Sequence, residues 1–512
     1  MNWNDIKKYD RKQLLSLVPS GFHFHTRPWT HQIASLVASI ANDGFLCALD
    51  LGTGKTKASI DWIRYIDDGQ KDIKTLVVCL KPAIENFADE VKLHSNLKAT
   101  CLVGPTKDRM KLLKEDSNFF VINFEGLRNM LSKKVLNKRT EKNQLSVDHQ
   151  KLSIMMEAGG FRSLIIDESH LVKTPGTLNF KLMSKIAQKI PDRLLLTGTP
   201  FGNSLLDIWS QYFIVDFGET YGTSFSRYRE AYFENKGYFG PDWKVTENGK
   251  KKITELLFSK AIRYEESEVD ELPTKTFRTR KFRLTKEQRV KYEETKSMKH
   301  EVEIIDKEMD IFGNITKVGT GEMREAGGSR RYTGFRMISS GYWRDDEGSY
   351  HRFKENPKLD LLWEIIGDTI EYRKVVIFTE FIESQSLLSD FFRKKKIKFN
   401  NMSGSTKGPI ADQWRQFQGD DSYRLMLANM RSGSASVNLF AANYCFHYEL
   451  GGSALNYRQS VKRIHRGGQT RRCFLYNLIA TQTVEVGMAR NLKNDVDAFS
   501  GIMDHKAFID GK

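Results

Sequence analysis

Gly52-Thr53-Gly54-Lys55-Thr56 stands directly after an apolar run, Phe45 to Leu51, and directly before a helix-compatible stretch, Lys57 to Trp62. Strand, tight glycine turn and helix start follow in the order a phosphate loop requires. The glycines free backbone N–H groups to point at the β- and γ-phosphates of a nucleotide. Lys55 brings a cation to them, and the Thr56 hydroxyl is a ligand for Mg²⁺. Leu49, five before Gly54, is not glycine, so the loop departs from the general G-x-x-x-x-G-K-T pattern. A second apolar run, Leu164-Ile165-Ile166, delivers two adjacent carboxylates, Asp167-Glu168, with Ser169-His170 behind them. Open α/β sheets bind ligands at that end of a strand. Asp167 is suited to hold Mg²⁺ through its waters, and Glu168 to orient and deprotonate the attacking water of in-line phosphoryl transfer.

Residues of this kind need strands to deliver them. Short apolar runs separated by helical, polar stretches recur in two sets, the pattern of buried parallel strands under covering helices. The first set holds Phe45 to Leu51, Thr75 to Leu80, Asn118 to Phe124, Ser163 to Glu168 and Arg193 to Thr199. The second holds Lys374 to Phe381, Arg424 to Met430, Asn443 to Leu450 and Cys473 to Ala480. Each set predicts one α/β sheet. Between them, residues 205 to 355 lose the strand signal and read as helical insertions and linker. Pro273 cannot continue a helix and favours an extended Leu272, so it marks a boundary between lobes.

Composition narrows the class. The 512 residues carry 80 Lys and Arg against 64 Asp and Glu, a net +16, with 40% hydrophobic and 28% charged residues. That balance describes an ordered protein with a bias towards polyanions and excludes disorder. The basic stretches Lys133 to Lys142 and Arg393 to Lys398 are candidate contacts or solvated faces. No apolar run approaches the roughly 18 residues of a spanning helix, and the polar Met1 to Lys12 lacks the core of a signal peptide. No membrane association and a cytoplasmic setting, bacterial or phage-infected, are the expectations. Five cysteines, Cys47, Cys79, Cys101, Cys445 and Cys473, stand singly and predict core thiols, with neither a zinc cluster nor a disulfide framework.

Asp-Glu-Ser-His is a D-E-x-H box, and with the loop at Lys55 it resembles the superfamily 2 helicases and translocases. Other strings follow in that family's order. Arg27 to Gln32 resembles the adenine-reading Q motif. Arg193-Leu194-Leu195-Leu196-Thr197-Gly198-Thr199-Pro200, continuing through Asn203 to Trp209, resembles motif III of the Swi/Snf-type branch. Gln459 to Gln469, with His465-Arg466-Gly467-Gly468-Gln469 at its end, resembles motif VI of the same branch. Shorter matches are Thr75 to Pro82 for motif Ia, Asn123 to Glu125 for Ib, Val375 to Phe381 for IV, and Ser432-Gly433 to Asn438-Leu439 for V. Phe335 to Gly341, followed by Asn356 to Leu359, resembles the connector of compact phage or bacterial members.

The resemblance implies two tandem RecA-like lobes with helical insertions. Their expected extents are an N-terminal extension at 1–26, lobe 1 at 27–272 with an insertion at about 205–260, a connector and helical protrusion at 273–355, lobe 2 at 356–490, and a tail at 491–512. ATP and Mg²⁺ are the implied cofactors. Gln32, Gly52, Thr53, Gly54, Lys55, Thr56 and Gln459 are implied at the nucleotide, with Gln32 on the base edge and Thr56 and Asp167 at Mg²⁺. Lys55, Asp167, Glu168 and two arginine fingers, Arg463 and Arg466, are implied in catalysis; Thr197, Gly198 and Thr199 are implied in coupling. The implied activity is ATP-driven translocation on double-stranded or branched DNA through sequence-blind backbone contacts, alone or with a recruiting protein. An RNA helicase and an ATP-regulated clamp with weak turnover are the alternatives. Motif V carries Ser434 and Ser436 where glycine is usual, and motif VI carries Val461 and Lys462 where an acidic pair is usual. Both departures bear on coupling to DNA, and neither removes a phosphate ligand.

Overall fold

The computed structural model of the chain describes residues 2–492 except 68–72, 138–141, 199–203, 238–241, 270, 298–300, 303–304, 310–314, 321–323, 326–327, 403–409, 431–436, 452 and 491. The expectations for Thr199, Ser434, Ser436 and nearly all of the tail lie outside the described residues.

Seven strands build the first sheet: β1 (Gly44–Leu49), β2 (Thr75–Cys79), β3 (Ala99–Cys101), β4 (Phe119–Asn123), β5 (Ser163–Asp167), β6 (Asp192–Thr197) and β7 (Ala261–Tyr264). They run in the order β7-β1-β6-β5-β2-β4-β3, every pair parallel. Period-two alternation sends side chains to two separate cores. Leu46, Leu76, Val78, Leu164 and Ile166 enter one, and Phe45, Cys47, Val77, Ile165 and Leu196 the other. The second core is roofed by α2 (Thr30–Ile40) and α3 (Lys55–Ile66). The N-terminal segment also packs there: Leu14 of α1 (Arg11–Leu17) is fully buried, and the backbone N–H of Trp3 donates to Phe258 at 2.8 Å. Fully burying a Leu, Ile or Phe is worth about 1.5–3 kcal/mol, so two such faces hold the sheet firmly. The helix α4 (Ile84–His94) follows β2.

The second sheet comprises β8 (Lys275–Phe282), β9 (Lys374–Thr379), β10 (Phe399–Met402), β11 (Leu425–Asn429), β12 (Ala442–His447) and β13 (Cys473–Ala480). Its order is β8-β13-β12-β9-β11-β10, again parallel throughout. The α/β class with two sheets is as expected. β8 is an addition, since it lies in the stretch read as connector. Arg278, Arg280 and Lys281 are exposed on it, as suits the edge of a sheet, and that charge hides its strand character.

Between β6 and β7 the insertion is helical, with α5 (Asp207–Asp216) and the helices Phe225–Tyr232 and Glu247–Leu257, joined by the small hairpin Phe233–Asn235 with Trp243–Val245. After β8 come α6 (Lys286–Ser297) and α7 (Gly328–Ser339), with short two-stranded pairs between and after them that the helical reading omits. Arg336 of α7 donates to the Leu450 carbonyl at 2.8 Å and lies over the Phe381 ring, so this segment is tied to the second sheet. The described parts of the basic stretch at Lys133 to Lys142 lie in paired antiparallel strands, Ser132–Asn137 with Lys142–Val147. The basic Arg393 to Lys398 closes the helix Ile382–Lys394.

Candidate nucleotide site between the two sheets

Strand order places the chemistry. β1, β6 and β5 are adjacent, so the turn after β1, Thr197 at the end of β6 and Asp167 at the end of β5 share one edge of the sheet. At about 4.8 Å per strand, the loop and the carboxylates lie roughly 10 Å apart, a span that a triphosphate and a metal ion bridge.

Gly52 and Gly54 both adopt left-handed backbone, φ 82° and 80°. A Cβ on Gly54 would fall 2.2 Å from Gln32 Nε2, and one on Gly52 would fall 2.8 Å from the His465 carbonyl. Glycine is therefore required at both by backbone and by space. Lys55 opens α3 and is buried, its ammonium donating to the Leu49 carbonyl at 3.1 Å, while Thr56 is half-buried beside it. The Gln32 amide donates to the Thr53 and Gly54 carbonyls, each at 3.3 Å, and its oxygen accepts from the Trp29 N–H at 2.8 Å. His31 Nε2–H donates to the Thr53 carbonyl at 2.7 Å. The expected base reader is thus engaged with the backbone of the loop. Gly198 packs on Leu51, a Cβ there coming within 3.3 Å of that side chain.

Glu168 sits in left-handed backbone at φ 54°, which costs a non-glycine residue about 1–3 kcal/mol and turns its side chain out of the strand. Asp167 accepts from the Glu168 N–H at 3.1 Å, and His170 Nδ1 lies 3.2 Å from a Glu168 oxygen. Ser169 donates to Gln211 of α5 at 2.7 Å, so the insertion braces the box. Burial, with the Glu168 carboxylate beside it, pushes Asp167 up to about 7. Burial acts on Glu168 in the same direction, but the His170 hydrogen bond, Lys55 and Arg463 outweigh it and hold Glu168 below its ordinary value.

The second sheet contributes α8 (Ala454–Ile464), which carries Gln459, half-buried, and Arg463 in its last turn. Arg463 is buried within range of the Asp167 and Glu168 charges; burial and the neighbouring Arg466 pull it down to about 9 in spite of those carboxylates. Arg466 pairs instead with Glu90 of α4 at 3.4 Å. The N–H of Gly467 donates to the Gly52 carbonyl at 3.1 Å, which sets motif VI directly on the phosphate loop. The six expected residues from Gln32 to Thr56 and both arginines therefore lie around the junction of the two sheets, and Gln459 stands one turn before Arg463 on α8.

Sequence reasoning missed the residues that hold the cleft together. Glu266, between β7 and β8, receives Lys462 at 2.6 Å and also pairs with Lys275 and His465. His465 Nε2–H donates to the Pro273 carbonyl at 2.6 Å, and Lys462 lies 3.7 Å from Asp50, just ahead of the loop. Burial raises the Glu266 carboxyl, but His465, Lys462 and Lys275 together hold it well below the usual range. Lys462, the departure from the expected acidic pair, therefore has carboxylates to meet. Reversed charge in motif VI was the one available signal, and it pointed to a partner without naming it.

The donor set fits ATP with Mg²⁺. It offers the left-handed glycines of a phosphate loop, a buried ammonium, a hydroxyl and carboxylate of metal-ligand type, and a buried guanidinium within range of their charge. Among the described residues no helix is long and apolar enough to cross a membrane, and Cys47, Cys79, Cys445 and Cys473 are buried free thiols.

Comparison with known proteins agrees. A family model of the SNF2-related domain matches residues 30–325, and one of the helicase conserved C-terminal domain matches 357–468. An uncharacterized ATP-dependent helicase of Mycoplasma pneumoniae is 24% identical over 464 residues, covering 86% of this chain and 38% of its own. The ATP-dependent helicase fft3 of Schizosaccharomyces pombe is 21% identical over a 516-residue alignment, covering 88% and 54%. The Sulfolobus solfataricus SWI2/SNF2 ATPase core, solved in complex with dsDNA, is 19% identical over 96% of each chain with a TM-score of 0.41. The matches span between 7% and 54% of the length of such curated relatives. With more than half of its residues under the SNF2-related model and a helicase C-terminal domain behind them, the chain belongs to the SNF2-related family.

Proposed function

We propose that the chain is an ATP-driven motor that tracks along duplex DNA, its two lobes spanning residues 27–272 and 356–490 around the connector at 273–355. The observation that carries this reading is motif VI seated on the phosphate loop, the Gly467 N–H donating to the Gly52 carbonyl at 3.1 Å, with Arg463 buried within range of the Asp167 and Glu168 charges. In it Lys55 and the loop N–H groups bind the β- and γ-phosphates. Glu168, held anionic, takes the proton of the attacking water as its oxygen bonds to the γ-phosphorus and the bond to the ADP oxygen breaks. Mg²⁺, which Thr56 and Asp167 would hold, neutralises phosphate charge when bound. Arg463 and Arg466 stabilise the charge that develops on the transferring group, which they can do only while the lobes are closed. Hydrolysis then removes the group that favours closure, and the lobes part.

If each lobe grips one strand's phosphates, closing and opening advance one grip past the other. The net positive charge and the backbone-centred grip support a sequence-blind, salt-sensitive interaction. We assign duplex, forked or branched DNA as the track, with a larger assembly or recruiting protein setting the target. Single buried thiols fit a reducing, cytoplasmic setting.

The test is ATP turnover across single-stranded, duplex, forked and four-way DNA and duplex RNA, with third-strand displacement reporting movement. Duplex or forked DNA is expected to raise turnover most, and Lys55→Ala, Glu168→Gln and Arg466→Ala each to abolish it. Turnover indifferent to every nucleic acid overturns the reading, and stimulation by duplex RNA above duplex DNA reassigns the track.

A further inference from the structure

We propose that Glu90 is a positioning residue that holds Arg466 off the nucleotide, so that the γ-phosphate must compete with a carboxylate for this arginine; the proposal rests on the ATPase reading above. The backbone of Arg466 is fixed at the phosphate loop: Gly467 N–H donates to the Gly52 carbonyl at 3.1 Å, and a Cβ on Gly52 would lie 3.1 Å from that of Arg466. The long side chain leaves this point towards α4, where its Nη2 meets Glu90 Oε1 at 3.4 Å. Arg463, three residues earlier, feels the charges of Asp167 and Glu168 instead. The two arginines of one motif thus serve two different carboxylate sites.

Glu90 is built to hold a guanidinium. Its side chain is 13% exposed, and Asn86 and Asn438 hydrogen-bond to it, Asn438 also donating to Asn86 at 2.9 Å. His94 lies 3.7 Å away but is kept neutral by burial, which pushes it down to about 4. Lys57, whose charge also reaches Glu90, is taken by Asp61. Among the described residues Arg466 is therefore the one charged partner within ion-pair distance of Glu90. Carboxylate and phosphate oxygens accept from the same fork of N–H donors, so occupancy of one site empties the other. A contact made only without nucleotide weakens nucleotide binding by its own worth.

Glu90→Gln keeps shape and removes the charge. The expected result is a fall in the KM for ATP of about fivefold or more, the lower range of such couplings, with kcat preserved. Glu90→Asp, which restores a carboxylate, should return KM towards wild type. Asn86→Ala, which loosens the carboxylate without removing it, should lower KM less and serves if Glu90→Gln does not fold. An unchanged or raised KM in both Glu90→Gln and Asn86→Ala, or a loss of kcat with KM unmoved, overturns the proposal while leaving the ATPase reading intact. A wild-type chain that hydrolyses no ATP with or without DNA removes both.

Discussion

The two sheets meet through two ionic patches of opposite character. At the crossing segment, Glu266 is enclosed by Lys275, Lys462 and His465; Lys462 is 8% and His465 3% exposed. Along α4, Arg415 reaches Asp89 at 2.7 Å and Glu85 at 3.6 Å, with 36–56% of each side chain exposed. Charges removed from water lose hydration that only their partners replace, so parting them is costly. Charges still in water exchange a partner for solvent at little cost. The crossing patch is also tethered by the chain itself, which passes through it from β7 to β8. The difference predicts that Glu266 acts as the pivot and α4 as the edge that opens, with the Arg466 to Glu90 contact on the opening side.

Four measurements break or sharpen this contrast. Glu266→Ala strips Lys462 and Lys275 of the carboxylate between them and is expected to cost about 3–5 kcal/mol, read as a large loss in denaturant midpoint. Lys462→Ala removes one partner of that carboxylate while Lys275 and His465 remain, and about 1.5–3 kcal/mol, the worth of a charge-assisted contact, is expected by the same assay. Acid supplies a third handle. Because the folded state holds Glu266 below its ordinary value near 4.5, its contribution is present above that pH and is lost as pH falls below it. Melting temperature should drop along that limb in wild type and in Arg415→Ala, and the limb should vanish in Glu266→Gln. Asp167 acts with the opposite sign: held up to about 7, it favours the nucleotide-free fold at low pH, and that contribution is lost as pH rises from about 4 through 7. The smallest effect is expected of Arg415→Ala, below about 1 kcal/mol and absent at high salt. A cost for Arg415→Ala as large as that for Glu266→Ala would erase the distinction between pivot and opening edge.

The loop, the carboxylate pair and the core strands were legible because each is a contiguous string whose neighbours in sequence are also its neighbours in space. β3, β7 and β10 were not, being three or four residues long. β8 was hidden by the cations that protect an exposed edge. Gln32 was legible as a site residue, yet its placement against the loop carbonyls depends on how α2 packs on α3. For Lys462 the sequence registered an anomaly of charge that becomes a complementarity once Glu266 and Asp50 are beside it.

What the sequence alone determined is local: strand, glycine turn, lysine and paired carboxylates are covalently continuous, so their order dictates their chemistry. Tertiary structure decided which charges meet. Arg466 and Glu90 are 376 residues apart, and no periodicity or motif relates them. Strand order and the docking of one sheet on the other bring them within reach, and because Coulomb attraction depends on distance in space, the partners of each arginine became readable only in the fold.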